Sequence, residues 1–290
     1  MKKQSLLSVV VVLWAVLANA APPQRIVSVS PDPTEILYGL GAFDKVVGVS
    51  DFCTYPPAVN NLPRVGGWVS PSLERIVGLK PDLVVLTASQ SPLFGQHLQQ
   101  LGIRTLSVPT RTIADAYTSM QLIGGAVGKD REAQQLIDRT RASLDVIRNR
   151  TRNVRRPSVL IAVERSPGSL RDLYIATQGS YLAELVELAG GRVVGVPTKI
   201  GYSKISKESL ITLNPDIVIE MKMTNQQSSL AQARAEWNEL PELSAVRSGK
   251  VFELNQDYLN HCSQRIVESA ELLLQTIHPE LASAQPKGAR

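Results

Sequence analysis

"SLERIVGLKPDLVVL" (residues 72–86) has a counterpart in the second half of the chain, "SKESLITLNPDIVIE" (residues 206–220). Both spell a glutamate, an apolar helical stretch, a leucine, one polar residue, Pro-Asp and an apolar run. Glu74 matches Glu208, Pro81 matches Pro215 and Asp82 matches Asp216. Each copy reads as helix, turn and strand, because proline does not continue a helix and the apolar run has strand length. A second pair, "TEILYGLGAFDKVVGV" (34–49) and "AELVELAGGRVVGV" (183–196), precedes each copy. Any α/β protein contains one look-alike unit of this kind. Two units in the same order, with the glutamate in register, point to a duplicated lobe.

The remaining strands fit that frame. "RIVSV" (25–29), "VVGVS" (46–50), "LVVL" (83–86) and "RTLSV" (104–108) are short, β-branched and apolar, as parallel strands covered on both faces are. Alternation stops between residues 112 and 153. There Ala133, Leu136, Ile137, Thr140, Leu144 and Ile147 recur at helical steps, which predicts an amphipathic helix of about 24 residues, roughly 36 Å long. Strands resume at 158–163, 173–177, 192–196, 216–220 and 250–254. The expected fold is α/β: two similar lobes with central, mostly parallel sheets, joined by one long interdomain helix. The expected boundaries are 21–127 for the first lobe, 128–153 for the helix, 154–283 for the second lobe and 284–290 for a flexible tail.

Residues 1–20 read as a cleaved signal peptide. Lys2 and Lys3 precede an apolar run from Leu6 to Ala18, and Ala18-Asn19-Ala20 offers small residues for cleavage before Ala21. The run is shorter than the about 20 residues a spanning helix needs, and no cysteine follows it to carry a lipid. The expected location is a periplasm, and the expected state is a monomer. The chain of 290 residues carries a formal net charge of +5, with Arg148, Arg150, Arg152, Arg155 and Arg156 close together. No aromatic residue interleaves these arginines, so they read as a solvated helix end rather than a nucleic-acid surface.

Signatures of catalysis are poor. The three histidines, at 97, 261 and 278, lack metal-ligand spacing. "GGAVGKD" (124–130) fails as a phosphate loop, because Ile123 stands where its first glycine belongs and Asp130 replaces the magnesium-binding hydroxyl. "GLGAFD" (39–44) ends a helix instead of opening one. An enzyme is not expected; binding is.

In such lobes ligands sit at the carboxyl ends of the strands. The loop 50–74 follows the second strand and carries Phe52, Cys53, Tyr55 and Trp68, with prolines to hold the rings apart. Tyr202 stands six residues before Glu208, as Trp68 stands six before Glu74. The last loop, "NQDYLNHCSQR" (255–265), offers Asp257, Tyr258, His261, Cys262 and Arg265. The cations expected nearest the cleft are Arg265 and Arg165. Cys53 and Cys262 are the only cysteines. A disulfide across the cleft, two free thiols and thiolate ligands to a metal are all open to them.

"RIVSVSPDPTEILYGLG", "VVGVSDFCTYPP", "LERIVGLKPDLVVL", "LGIRTLSV", "LAELVELAGG" and "GKVFEL", in that order, resemble the helical-backbone binding proteins of ABC importers. The resemblance runs from about Arg25 to about Ile277. It implies a receptor for a large metal chelate, with a membrane permease dimer and its ATPase as partners and no cofactor of its own. The corrinoid-binding members are most similar. They imply ring contacts at Tyr55, Trp68 and Tyr202 and a cleft acid at Asp257. Three departures are Thr87-Ala88, where those members carry a further tryptophan, His261, where they carry an arginine, and Cys53 and Cys262, which do not match the positions of their cysteines. Haem and ferric siderophores are the alternative ligands, and Tyr55 and His261 suit a haem iron. A free-metal carrier or an exported enzyme using Cys53, His261 and Cys262 is a further alternative. The resemblance also explains the twin glutamates: Glu74 and Glu208 would each meet an arginine on one permease subunit.

Overall fold

The computed structural model describes residues 21–221 and 235–282. The expected signal peptide and the tail 284–290 lie outside the described residues.

In the first lobe β1 (Ile26–Ser28), α1 (Pro31–Gly39), β2 (Val46–Val49), α2 (Leu73–Gly78), β3 (Leu83–Thr87), α3 (Gln96–Gln100) and β4 (Thr105–Val108) follow one another. The strands form a parallel sheet in the order β2-β1-β3-β4. Every residue of β1 and β3 is buried, which accounts for the apolar runs Ile26-Val27 and Leu83 to Leu86 that precede the polar ends Ser28 and Thr87.

The second lobe contains β5 (Ser158–Glu164), β6 (Tyr174–Ala176), α6 (Tyr181–Leu188), β7 (Arg192–Val193), β8 (Tyr202–Lys204), α7 (Lys207–Leu213), β9 (Ile217–Met221) and β10 (Val251–Leu254). Its sheet runs β10-β9-β5-β6-β8, with β7 also beside β5. β10, β9, β5 and β7 are parallel, whereas β6 is antiparallel to both of its neighbours. The segment 165–173 between β5 and β6 contains no crossover helix, so the chain can only turn back on itself there.

The two repeated stretches fold alike, residue by residue. Ser72 and Ser206 cap the two helices, accepting from the backbone N–H of Arg75 and Ser209. Lys80 and Asn214, the polar residues before Pro-Asp, both adopt left-handed backbone, φ 49° and 40°. Such a residue ends a helix, and the proline that follows prevents its resumption. The aspartates then tether the strand beside them. Asp82 accepts from the backbone N–H of Gln24 and Arg25 ahead of β1, at 2.7 and 3.0 Å, and Asp216 accepts from the backbone N–H of Ser158 in β5 at 2.8 Å.

The expected long helix is α5 (Asp130–Arg150), which begins after Lys129; a separate helix, α4 (Ile113–Val127), precedes it and ends at Gly128, φ 72°. α5 has 21 residues, so it spans about 31 Å. All six apolar-face positions named above are buried on it. The arginine run is tied down structurally: Arg150 grips both carboxylate oxygens of Glu271 at 2.9 Å, and Arg156 bonds the Glu187 carbonyl at 2.9 Å. α5 is not the sole join between the lobes. The largest apolar cluster takes residues from both, including Ile36, Ile123, Ile137, Val186 and Leu273. The helix Ile266–Ile277 closes it against α5 and α6.

Candidate functional site

A cleft of about 830 Å³ is lined by the carboxyl ends of the first-lobe strands, at Ser30, Asp51, Thr87 and Pro109, and by Tyr181, Tyr202 and the loop after β10 from the second lobe. Trp68 enters it from the first lobe and Tyr202 from the second. Both rings are partly buried, and Gln90 Nε2 donates to the Trp68 carbonyl at 2.9 Å, fixing that loop. Phe52 and Ile200 add exposed apolar surface. Asp257 and His261 reach the wall from the last loop. Thr87 and Ala88 line it too, so their small side chains leave room.

Four other expected site residues lie off the wall. Tyr55 packs edge-on against Tyr38, ring centroids 5.4 Å apart, and Arg265 covers its other side at 4.3 Å. Arg265 is drawn back because Glu35 accepts from its Nη1 at 3.0 Å and Glu268 from its Nη2 at 2.9 Å. Cys53 is buried beside Thr34 and Ser50, its Sγ 3.2 and 3.3 Å from their hydroxyls. Cys262 is buried with its Sγ 3.3 Å from the Thr112 carbonyl. The thiols are unpaired. Burial pushes both well toward the protonated form, so neither offers a thiolate. Arg165 is also absent from the cleft: it is buried against Glu220, 2.8 Å away, and Glu236. Arg111 is the arginine on the wall, and it spends one N–H on the Lys199 carbonyl at 2.9 Å.

The residues not foreseen are Asp51, Arg111 and Asp115 on the wall and, on α1, Asp32 and Glu35. The residues Pro31 to Leu37 of α1 are all buried. A buried carboxylate requires donors, and the last loop of the other lobe supplies them. Asp32 accepts from the Cys262 N–H at 2.7 Å. Glu35 lies 2.8 Å from His261 Nδ1 and accepts from the Ser263 hydroxyl, while its own carbonyl accepts from Gln264 Nε2 at 2.7 Å. Thr54 donates to Asp257 across the same gap. The chain signal was "SPDPTE" directly after β1, where strand-to-helix loops carry function.

Burial pulls the His261 imidazole down, but the hydrogen bond and charge of Glu35, with Asp32 and Asp257, outweigh it and leave it above its ordinary value. Burial likewise works to raise Asp257, but the Thr54 hydroxyl, His261 and Arg265 hold it below the usual carboxylate range. The wall carries Asp32, Asp51, Asp115 and Asp257 against Arg111 and His261, so it favours neutral or cationic guests. Glu74 and Glu208 are exposed on the first turns of α2 and α7, outside the cleft. The Ser206 hydroxyl holds Glu208 below its ordinary value. Among the described residues no three His, Cys, Asp or Glu side chains are grouped to hold a metal ion, so a bare-metal site has no geometric support there.

The sequence model of the periplasmic binding protein family matches residues 26–258. An ABC transporter substrate-binding lipoprotein of Bacillus subtilis is 28% identical over 265 residues, covering 89% of this chain and 81% of that protein. The vitamin B12-binding protein of Vibrio cholerae is 26% identical over 258 residues, covering 89% of this chain and 90% of that protein. Among solved structures, a periplasmic haem-binding protein from Pseudomonas aeruginosa matches with a TM-score of 0.75 and 25% identity, covering 92% of this chain and 96% of that one.

Proposed function

The chain belongs to the periplasmic binding protein family, and from that premise we propose that it captures a corrinoid between its lobes and delivers it to an inner-membrane ABC permease dimer with its ATPase. The observation that carries this reading is the placement of Trp68 and Tyr202, one ring from each lobe, in a single cleft of about 830 Å³. Aromatic rings supplied by both lobes suit a large guest with apolar faces. A corrinoid is rich in amides, whose N–H groups match the carboxylates of the wall. A ferric siderophore of anionic type would meet like charge instead. Haem is the second reading, favoured by His261 in the wall and by the Pseudomonas aeruginosa neighbour.

No reaction is assigned to this chain; import is driven by the ATPase. Glu74 and Glu208, exposed at matching places in the two lobes, would each dock on one half of a two-fold permease, fixing orientation by charge complementarity. Export through the leader 1–20 would place the protein where that permease faces.

Calorimetry of the protein lacking residues 1–20, against cyanocobalamin, haemin and a ferric hydroxamate, tests the reading. Tight binding of cyanocobalamin alone is the expected result. Binding of haemin alone would move the assignment to the second reading, and binding of none would remove it.

A further inference from the structure

Trp68 rides on a loop whose base is stitched down. The Val65 N–H donates to the Val49 carbonyl at 2.9 Å, the Asp51 N–H to the Gly66 carbonyl at 3.0 Å and the Ser72 N–H to the Val65 carbonyl at 2.7 Å. Gly66, φ 105°, and Gly67 then lead to the tryptophan with no side chains to brace it. Among the described residues Trp68 has a single hydrogen bond: its carbonyl accepts from Gln90 Nε2 at 2.9 Å.

Gln90 is fully buried and commits its whole side-chain amide. Its two N–H groups donate to the Trp68 carbonyl and to the Val29 carbonyl, each at 2.9 Å. Its oxygen accepts from the Thr87 backbone N–H at 3.0 Å and from the Thr87 hydroxyl at 3.3 Å. An amide offers two donors and two acceptor sites, and all are used. The orientation is fixed as well, since turning the amide over would set its oxygen against two carbonyls. Val29 follows β1 and Thr87 ends β3. One side chain therefore joins two strand ends of the first lobe to the loop that carries the ring.

We infer that Gln90 is a positioning residue: it does not touch the guest, and it holds Trp68 where the guest meets it. The inference rests on the receptor reading above, in which Trp68 supplies a ring contact, and adds the buried group that prepares that contact. The loop is ordered when the chain folds, so its ordering does not weaken binding later.

The protein lacking residues 1–20 has two tryptophans, Trp68 and Trp237. Trp237 is fully buried, so acrylamide quenching reports on Trp68 with no ligand present. Gln90→Met keeps the bulk of the side chain and removes all of its hydrogen bonds. Gln90→Asn keeps an amide one carbon too short to reach both carbonyls, and guards against loss of fold. Each should raise the quenching of Trp68 and speed the local decay of its emission anisotropy. Each should also weaken cyanocobalamin binding about tenfold by calorimetry. In a Trp68→Ala background the same changes should cost no further affinity, because Gln90 acts through the ring. Equal losses with and without Trp68 would show that Gln90 only supports the fold, and would overturn the inference. So would quenching and anisotropy like those of wild type in both variants. Failure of the wild-type protein to bind cyanocobalamin would count against the corrinoid reading, while quenching and anisotropy still decide whether Gln90 positions the ring.

Discussion

Asp216 accepts from the backbone N–H and the hydroxyl of Ser158, both at 2.8 Å, and so pins the start of β5 beside β9. Asp82 does the same for β1 and β3 through Gln24 and Arg25. Asp216→Ala should lower unfolding stability by about 1–3 kcal/mol at neutral pH, read by urea denaturation. The Ser158 N–H, against partial burial and with help from the hydroxyl, holds the Asp216 carboxyl below its ordinary value. Its contribution is therefore complete above the usual carboxylate range and is lost as pH falls through the depressed value. Wild type and variant should converge in acid; a gap constant from neutral to acid pH would refute the role of the charge.

Trp68→Ala and Tyr202→Ala should each weaken cyanocobalamin binding about 10- to 100-fold, the equivalent of about 1.5–3 kcal/mol of lost ring burial. Tyr55→Ala should weaken it far less, because its ring is spent on Tyr38 and Arg265. Calorimetry of the three variants decides the order, and an effect of Tyr55→Ala equal to the others would contradict the observed wall.

Glu35→Ala should destabilise the fold by about 3–5 kcal/mol, since it strands Arg265 and His261 without their buried counter-charge. The measurement is the midpoint of thermal unfolding. A variant as stable as wild type would mean that water or Asp32 replaces Glu35 without cost.

Charge reversal at Glu74 or Glu208 should leave ligand affinity unchanged, because both side chains lie outside the cleft. Stimulation of the permease's ATPase in proteoliposomes should fall with either change and vanish with both. Unaltered stimulation by the double variant would rule out docking through these acids.

Cys53 and Cys262 should resist alkylation in the native protein and react fully, two labels per chain, once it is unfolded without reductant. Intact-mass spectrometry counts the labels. A single mass 2 Da lower with no labels, the signature of a disulfide about 2.05 Å long, would contradict the separate pockets in which the thiols lie.

The duplicated unit was legible because its signals are local: a capped helix, a left-handed residue, a proline and a tethering aspartate lie within 15 consecutive positions. Trp68 and Tyr202 were legible for the same reason, each keeping a fixed distance from its glutamate. Tyr55, Arg265 and the cysteines shared those loops yet turned inward, because what holds them is remote. Nothing near Arg265 in the chain announces Glu35. Nor does anything in "LYIAT" distinguish an antiparallel strand from a parallel one, since the direction of β6 follows from the short connection before it. Asp32 and Glu35 looked like ordinary acids at the start of a helix, and only their partners reveal them as buried.

Those partners also set an order of events. Glu35 meets His261 and Arg265 across 226 and 230 residues of chain. While the polypeptide is being made, Glu35 lacks His261 and Arg265, the partners that meet it in the folded molecule, and closing so large a loop is slow. The innermost acid of the first lobe therefore gains its counter-charges only after the last loop, residues 255–265, has emerged.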